Sequence, residues 1–480
     1  MSALMEIHDH IATGFNKRKP IDRTVAVALD LKAAFDTVSH HQLLGDIIDL
    51  AIPDGLKRWL SSYLRGRQQY VEFRGVKSRS RVVQQGVPQG AILSPTLFNL
   101  VMSKSPIPPP NIKLVSYAND MSLLTSGPTI QPLCDRLNRY LTTLSDWLQN
   151  RHLRLSPGKS TATTFTTFTH EVNKALPIKV NGSTIPTTSK PKILGVIFDR
   201  MLTFSHHATQ VTGALRKRNA VLRAISGSTW GKQKETLLVT NKAIGRSVLN
   251  YGDPVWSPGL SSSRWQALQR QQNSASRTVT GCLRKTKEEH LHLKTSMLPV
   301  KEHNLMLSEQ YFLRCHRQDH INHQVANNPA IPGRLVRHTL ASTFPDHNRC
   351  HDIGPLDNKK YRALLKIIHD KAHQDGVRNY KPPVLLGGYP PPLSNEKKLS
   401  RSTRCKLAQL RAGYSSILNN YLAKINHDVV DACPLCSATP HDTIHLFNCP
   451  ANPTSLTPEA LWTKLVEAAT LLGFDINGDS

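Results

Sequence analysis

The sequence has no continuous apolar run near the roughly 18 to 20 residues that a membrane-spanning helix requires. Its first residues, MSALMEIHDH, lack the basic and then apolar order of a secretory signal peptide. Cysteine is sparse, with 8 residues in a chain of 480, which argues against an extensive disulfide framework. These absences predict a protein without a membrane segment that stays inside the cell, in the nucleus, the cytoplasm or both.

Acidic residues are few relative to basic ones. The chain has 34 Asp and Glu against 61 Lys and Arg, a formal net charge of +27. Basic side chains that displace counterions from phosphates supply most of the non-specific affinity of proteins for nucleic acid. The charge therefore favours RNA or DNA as a partner, and charge alone leaves two alternatives open: a soluble basic protein or one that binds a membrane surface.

Strand and helix patterns alternate in the first third of the chain. The near-continuous apolar run at 24–31 predicts a buried strand, and residues 56–64 carry apolar side chains at helical spacing. The basic stretch 69–86 predicts two strands about a turn at Gly75. Ser94 precedes a proline, which predicts a helix N-cap. This mixture predicts an α+β fold.

The pattern becomes helical from about residue 200. A helix is predicted near 264–280, with Gly281 as its C-cap. The stretch 381–398 is rich in Pro and Gly and is typical of a linker. These changes of pattern predict that the chain is divided into four segments, which are residues 1–170, 171–325, 326–398 and 399–480.

Two acids stand at places where strands end or turn. Asp30 ends the first buried strand in ALDLKAAFD, and Asp120 follows Asn119 at a hairpin tip in KLVSYANDMSLL; the Gly-rich turn GVPQGAILSP (86–95) lies between them. Two such carboxylates suit a two-metal phosphoryl-transfer site, for which Mg²⁺ is the usual ion. Taken singly, each signal has an ordinary explanation: a cap, a Gly-rich loop, or a hairpin turn in which Asn tolerates positive φ.

In this order, LDLKAAFD, GVPQGAILSP and YAND resemble the palm of a reverse transcriptase. The resemblance is closest to the RNA-directed DNA polymerase of jockey-like non-LTR retrotransposons, and it continues through LRLSPGKS, KILGVIFD, NYGDPVW and the cysteine-rich end. It implies two-metal nucleotidyl transfer that makes DNA on an RNA template, extending a DNA primer or target with deoxynucleoside triphosphates. The implied architecture is a palm with partial fingers (1–170), a primer-grip hairpin and helical thumb (171–325), a helical connector with a linker (326–398) and a small zinc-binding unit (399–480).

The resemblance also implies residue roles. Asp30 and Asp120 would hold two Mg²⁺ ions, and Phe35 would lie beneath the incoming sugar and exclude a 2′-hydroxyl. Contacts to template and nucleotide would come from Gly86, Pro88, Gln89, Gly90, Tyr117 and Lys159. Leu194 and Gly195 would support the primer end. A basic stretch that suits template phosphates, or is simply a solvated face, comprises Arg65, Arg67, Arg74, Lys77, Arg79 and Arg81.

The chain departs from the family pattern Tyr-Ala-Asp-Asp at Asn119, the position of the aspartate expected to bridge both metal ions. Asparagine keeps a carbonyl oxygen but loses the negative charge that holds a hard cation. The substitution predicts weak or absent polymerase activity. The family carries further fingers motifs and usually an endonuclease upstream, so a truncated copy is expected. The alternative function is a catalytically impaired or dead retroelement remnant that only binds nucleic acid.

The C-terminal stretch CPLCSATPHDTIHLFNC pairs Cys433 and Cys436 with His445 and Cys449. Two ligand pairs separated by a short loop fit a tetrahedral structural Zn²⁺ in a unit with little core of its own. Three unligated cysteines near a histidine are the alternative. His441 is a rival ligand, but His445 gives the more usual final spacing, and the jockey-like motif matches it.

Overall fold

The computed structural model describes residues 1–17, 20–171, 174–227, 230–317, 319–326, 358–378, 380 and 396–475. These residues form two compact units. The first unit comprises 1–206 with the described residues of 315–326, and the second comprises 207–314 with those of 358–475. The limit at 206 lies beyond the predicted one at 170, so the predicted primer-grip hairpin belongs to the first unit. The four predicted segments stay a prediction, and most of the predicted linker, 381–395, lies outside the described residues.

Twelve strands lie in the first unit. They are β1 (Arg23–Asp30), β2 (Gln68–Gln69), β3 (Glu72–Phe73), β4 (Val76–Lys77), β5 (Arg81–Val82), β6 (Lys113–Tyr117), β7 (Asp120–Gly127), β8 (Thr161–Phe165), β9 (Lys179–Val180), β10 (Ser183–Thr184), β11 (Lys192–Ile193) and β12 (Val196–Ile197). Four of them form an antiparallel sheet in the order β6-β7-β1-β8. The remaining strands pair as short hairpins or ribbons.

Helices account for most of the other described residues. They are α1 (Ser2–Asn16), α2 (His40–Ile48), α3 (Asp54–Leu64), α4 (Ser94–Ser103), α5 (Ile130–Asn150), α6 (Ser205–Ala224), α7 (Lys234–Asn241), α8 (Ser247–Asn250), α9 (Asp253–Trp256), α10 (Ser262–Thr280), α11 (Glu288–Thr295), α12 (Val300–Cys315), α13 (His323–Ala326), α14 (Asn358–Val377), α15 (Arg401–Arg411), α16 (Asn419–Ala423), α17 (Thr443–Asn448), α18 (Ala460–Thr463) and α19 (Leu465–Leu471). Among the described helices, none has both the length and the apolar character needed to cross a membrane.

The central strand β1 confirms the predicted buried strand and has helices on both faces. Val25, Val27 and Leu29 alternate along it and join one core cluster with leucines of α5. Thr24 points to the opposite face, where its hydroxyl lies 2.8 Å from Ser126 of β7 and next to α1. Because the strand is covered on both faces, its sequence is apolar almost throughout instead of alternating.

The second unit is helical, as its sequence predicts. Helix α10 buries Trp265, Leu268 and Val279, and it ends at Gly281, whose φ of 73° is the left-handed conformation of a glycine C-cap. The C-terminal part has a separate core in which α15 and α17–α19 pack around Trp462. A glycine is required at the end of α10 because a Cβ there would overlap the Cys405 sulfur of α15.

The predicted N-cap at Ser94 is wrong by one position. Helix α4 begins at Ser94 itself, with Leu93 as the N-cap and no side-chain cap. The Ser94 hydroxyl instead donates to the carbonyl oxygen of Pro88 at 2.6 Å, because the preceding loop folds back over the start of the helix. The serine therefore holds the Gly-rich loop in place.

Candidate active site

Asp30 and Asp120 are direct partners across two antiparallel strands. Asp30 is the last residue of β1 and Asp120 the first of β7, and their Cα atoms are paired in register. Directly opposed residues share one face of a sheet, with Cβ atoms about 4.5–5.5 Å apart. Burial and the facing Asp30 carboxylate raise the pKa of Asp120 above its usual value. Two carboxylates held in this way favour a bound cation, since it relieves their repulsion.

The tip of the hairpin between β6 and β7 has only two residues, Ala118 and Asn119. Tyr117 and Asp120 are paired on either side of it, and Tyr117 is exposed. The residue with positive φ is Ala118, at 52°, and not Asn119, so the expectation that asparagine provides the turn conformation is wrong. A non-glycine residue in this region costs about 1–2 kcal/mol, and such cost is typical of backbone held at functional sites. The backbone conformation of the turn therefore does not require an asparagine at position 119.

A lysine and a serine reach the end of β1 from the segment before β8. The Lys159 ammonium lies 3.9 Å from the Asp30 carboxylate and is largely exposed. The Asp30 backbone N–H donates to the Ser160 hydroxyl at 3.3 Å, and the Asp30 carbonyl accepts from the Ser156 N–H at 2.8 Å. Ser160, which no sequence motif had singled out, therefore fixes the backbone that presents Asp30. In the sequence, its position next to Lys159 at the end of LRLSPGKS was the feature that could have pointed to this role.

Phe35 and the Gly-rich loop form a second group of contacts. The Phe35 ring is half-buried and stacks on Phe98 with ring centroids 4.7 Å apart, and its carbonyl accepts from the Val87 N–H at 2.7 Å. Gly86 has φ of 88°, and a Cβ there would lie 2.8 Å from the Asp36 carbonyl oxygen. Only glycine allows this approach of the two backbones.

Asp36 is a residue that the sequence patterns missed. Its carboxylate accepts from the Gln89 side-chain amide at 3.1 and 3.3 Å, so it orients the one polar side chain of the exposed Pro88–Gly90 turn. Gly90 has φ of 88° with open space around it. The signal available was the acid directly after Phe35 in ALDLKAAFD, but nothing local connects it with a glutamine 53 positions away.

The hairpin predicted to support a primer is present. Strands β11 and β12 pair through Lys192–Ile197 and Ile193–Val196, which leaves Leu194 and Gly195 as the two turn residues. Both have positive φ, at 45° and 83°, as a type I′ turn requires. The role of this turn at the primer end stays a prediction.

The basic stretch forms two short ribbons that we call the basic hairpins (residues 68–82). β2 pairs with β5, and β3 pairs with β4 about a turn at Arg74 and Gly75, as predicted. Their side chains are exposed, including Phe73 at 70%. The Lys77 ammonium lies 4.9 Å from the Tyr70 ring centroid. Cationic groups over exposed aromatic rings suit stacking and phosphate contacts with single-stranded nucleic acid.

A separate group of ligand atoms lies in the C-terminal part of the second unit. The four candidate ligand atoms of Cys433, Cys436, His445 and Cys449 all lie within 4.8 Å of one another. Asp442 caps α17 by accepting from the His445 N–H at 2.9 Å, which fixes that ligand on the first turn of the helix. The structure thus contains a Cys₃His group able to hold a metal ion.

His441 is engaged elsewhere. Its side chain is buried, and its Nδ1 accepts from the Asn419 N–H at 3.0 Å while its own backbone N–H donates to Asp431 at 2.9 Å. These bonds tie His441 to α16 and the preceding loop. His445, by contrast, points its Nε2 at the Cys436 sulfur, 3.2 Å away.

Sequence comparisons place the first unit among known proteins. A family described as "Reverse transcriptase (RNA-dependent DNA polymerase)" matches residues 3–198. The chain is 29% identical over 359 residues to the "Probable RNA-directed DNA polymerase from transposon BS" of Drosophila melanogaster, which covers 72% of this chain and 38% of that protein. It is 32% identical over 197 residues to the "RNA-directed DNA polymerase from mobile element jockey" of Drosophila funebris, covering 40% and 21%. The chain spans less than half the length of these relatives.

Among solved structures, telomerase from Candida tropicalis in complex with a TWJ fragment of telomeric RNA is similar over 67% of this chain and 52% of that chain, with 12% identity and a TM-score of 0.35. Apo telomerase from the same organism is similar over 66% and 54%, with 12% identity and a TM-score of 0.33.

Proposed function

We propose that this chain is a jockey-like non-LTR reverse transcriptase whose first unit catalyses RNA-directed DNA synthesis at Asp30 and Asp120, because residues 3–198 match the reverse transcriptase family and the similar relatives include jockey and transposon BS polymerases. The observation that carries the proposal is the register of the central sheet, which pairs these two acids although they are 90 positions apart in sequence. No local turn or cap requires these two carboxylates to face each other. A shared cation explains the arrangement.

Asp30 and Asp120 would hold Mg²⁺, since hard cations prefer carboxylate oxygens. When bound, such ions stabilise the attacking and leaving oxygens of phosphoryl transfer. The raised pKa of Asp120 fits a site that gains stability when a cation is present. Asn119 would supply only a neutral carbonyl oxygen at the tip, so ion affinity and rate are both low in this chain.

The other site residues would position the substrates. Lys159, already 3.9 Å from Asp30, would neutralise the triphosphate of a deoxynucleotide. Phe35, held by Phe98, would limit space at the sugar. Gln89, oriented by Asp36, would contact the nucleotide or template from the Gly-rich turn. Tyr117, exposed at 63% beside Asp120, would contact the nucleotide as well.

The partners would be an RNA template and a DNA primer or target. The basic hairpins supply exposed arginine and lysine side chains for template phosphates, and the turn at Leu194 and Gly195 would support the primer end. The helices α6–α12 of the second unit would serve as the thumb, followed by a connector containing α14. The place of action would be the nucleus, the cytoplasm or both.

RNA-templated extension of a DNA primer with Mg²⁺ tests the proposal. In the more active Asn119→Asp background, Asp120→Asn is expected to reduce the rate at least about 100-fold, because it removes one of the acids that face each other at the site. Extension that survives loss of Asp120 would contradict the proposed centre. RNA binding measured on the same samples should be unchanged, which separates lost chemistry from lost folding.

A remnant that only binds nucleic acid is the second candidate, and Asn119 is the observation that favours it. This candidate predicts RNA binding with no extension by the native chain. It also predicts that restoring aspartate at 119 is required before any product forms.

The Cys₃His group would hold a structural Zn²⁺. Four ligands at Zn–S distances of about 2.3 Å in a tetrahedron have sulfur atoms about 3.8 Å apart, and the Cys433 and Cys449 sulfurs are 3.8 Å apart. Burial raises the pKa of Cys433, but the backbone N–H groups of Leu435 and Cys436 outweigh it and lower the pKa to about 6. The thiolate that a zinc site requires is therefore favoured in the folded chain.

Cys433→Ser and His445→Ala are each expected to abolish stoichiometric zinc in the full chain, because three ligands do not hold a structural ion tightly. Metal content after gel filtration is the measurement. The matched control is His427→Ala, an exposed histidine outside the group, which should keep one zinc per chain. Zinc retained by the Cys433 variant would contradict the ligand set.

A further inference from the structure

The segment that contains the Cys₃His group has a net charge opposite in sign to that of the whole chain. Residues 425–463 contain no Lys or Arg, although the chain as a whole has 61 of them in 480 residues. The same stretch contains Asp428, Asp431, Asp442 and Glu459. A segment of this charge repels phosphates, so it is unsuited to binding a nucleic-acid backbone.

This segment also exposes large apolar side chains. Ile425 is 54% exposed, Val430 74%, Leu435 65% and Ile444 45%, and Asp428, which lies between the first two in sequence, is exposed as well. We call these five residues the acidic face. Several large apolar side chains left exposed within one short segment are a feature of protein interaction sites.

The first unit exposes a surface of matching character. On the basic hairpins Val71 is 71% exposed, Phe73 70% and Val76 73%. The basic side chains that accompany them are Arg74, Lys77, Arg79 and Arg81, all exposed. Apolar groups on both surfaces can pack together, while the surrounding charges attract each other and set the register of the contact.

We propose that the acidic face of one copy of the chain docks on the basic hairpins of a second copy. Charge complementarity selects this occupant, since the hairpins combine exposed valines and phenylalanine with a cluster of four basic side chains. The contact joins two different surfaces, so a pair of copies keeps one free surface of each kind: the basic hairpins of the first copy and the acidic face of the second. Such heterologous contacts build chains or rings and do not stop at a symmetric dimer. The contact does not depend on polymerase activity.

Sedimentation velocity of the full, zinc-loaded chain tests the proposal. We expect the weight-average mass to rise with protein concentration beyond that of a dimer, and to fall between about 50 and 500 mM salt as the charges are screened. Val430→Ser with Leu435→Ser, or Asp428→Lys, should weaken association at least tenfold. The matched controls are Ile107→Ser, exposed at 91% on the first unit, and Asp370→Lys, exposed at 54% on α14. Zinc content shows that the Val430, Leu435 and Asp428 variants keep the fold around the Cys₃His group, and RNA binding reports on the first unit of the Ile107 variant.

A complementation experiment identifies the two surfaces. One variant carries Val430→Ser and Leu435→Ser and keeps its hairpins, while the other carries Arg79→Glu and Arg81→Glu and keeps its acidic face. Each should be monomeric alone, and the mixture should form a dimer of one copy of each. A mixture that stays monomeric, or a native chain that is monomeric at every concentration, would overturn the proposal.

Nucleic acid is the competing occupant of the acidic face. A single-stranded RNA should dissociate the assemblies, because it competes for the basic hairpins, and its affinity should be the same for the native chain and the Val430→Ser, Leu435→Ser variant. A tenfold loss of RNA affinity in that variant would assign the acidic face to nucleic acid and overturn the contact between copies.

Discussion

Asn119→Asp is expected to increase the rate of RNA-templated primer extension by about 10²–10³-fold. This is the factor by which enzymes slow down when a single preorganised electrostatic group is removed, and the substitution would restore such a group. The third carboxylate would stand at the tip of the hairpin next to Asp120, which is already paired with Asp30. The added negative charge raises the affinity of the site for divalent ions more than it strengthens the attraction of Lys159, because hard cations are held by charge. The turn itself should not change, since the positive φ belongs to Ala118.

Extension by the native chain, Asn119→Asp and Asn119→Ala under the same Mg²⁺ titration is the measurement. Asn119→Ala is the matched control, because it removes the side-chain oxygen without adding charge, and its rate should not exceed that of the native chain. The Asn119→Asp variant should also reach half its maximal rate at a lower Mg²⁺ concentration. Equal rates for all three chains would show that position 119 does not limit the reaction.

Glu396→Gln is expected to lower the free energy of unfolding by about 3–5 kcal/mol, the cost of leaving buried charges without a partner. The Glu396 carboxylate is 2% exposed and lies 2.8 Å from both Lys294 and Arg411 and 2.9 Å from Lys234. Arg404 is a fourth cation at 3.9 Å. One carboxylate therefore balances cations from α7, α11 and α15. Burial, with the charge of Arg411, lowers the pKa of Lys294 to about 7, as expected where positive charge is in excess.

Chemical denaturation of the native chain and the variant measures this effect. Glu467→Gln is the matched control: it is 59% exposed and pairs with Lys464 at 3.6 Å on the surface, so it should change stability by less than about 1 kcal/mol. A change in the Glu396 variant as small as in the control would contradict the structural role of the cluster.

The effect of Glu396 should depend on pH with a defined sign. Burial raises its pKa, but the charges of Lys294, Arg411 and Lys234 outweigh burial and hold the pKa far below the usual 4.5. A carboxylate whose pKa is lower in the folded than in the unfolded state stabilises the fold above the unfolded value, and that stabilisation is lost as the pH falls through the folded value. The stability advantage of the native chain over Glu396→Gln should therefore decrease as the pH falls below about 4.5.

Local patterning predicted the elements that carry the candidate site. The apolar run of β1, the helix before Gly281 and the turn at Gly75 follow from side-chain period and from the conformational freedom of glycine. The spacing of cysteines and histidine predicted the Cys₃His group in the same way. These features depend on residues close together in the chain, and such dependence can be seen in a sequence.

Features that local patterning missed depend on distant partners. Asp36 orients a glutamine 53 positions away. Glu396 resembled an ordinary charged residue at the end of a linker, but its partners come from helices 102 and 162 positions upstream. A side chain's neighbours across such separations are set by packing of the whole unit, which no short window of sequence contains.

The order of residues already specifies which chemical groups are available: two acids at strand ends, an asparagine where a third acid would stand, four metal ligands and an excess of positive charge. Which of these groups meet depends on the fold. The antiparallel register of β1 and β7 brings Asp30 and Asp120 together. Folding also gathers four cations around one buried carboxylate, and it leaves the acidic face exposed. The reason is physical: covalent order fixes the composition of a chain, whereas the distances that control charge–charge energies arise only when remote segments pack.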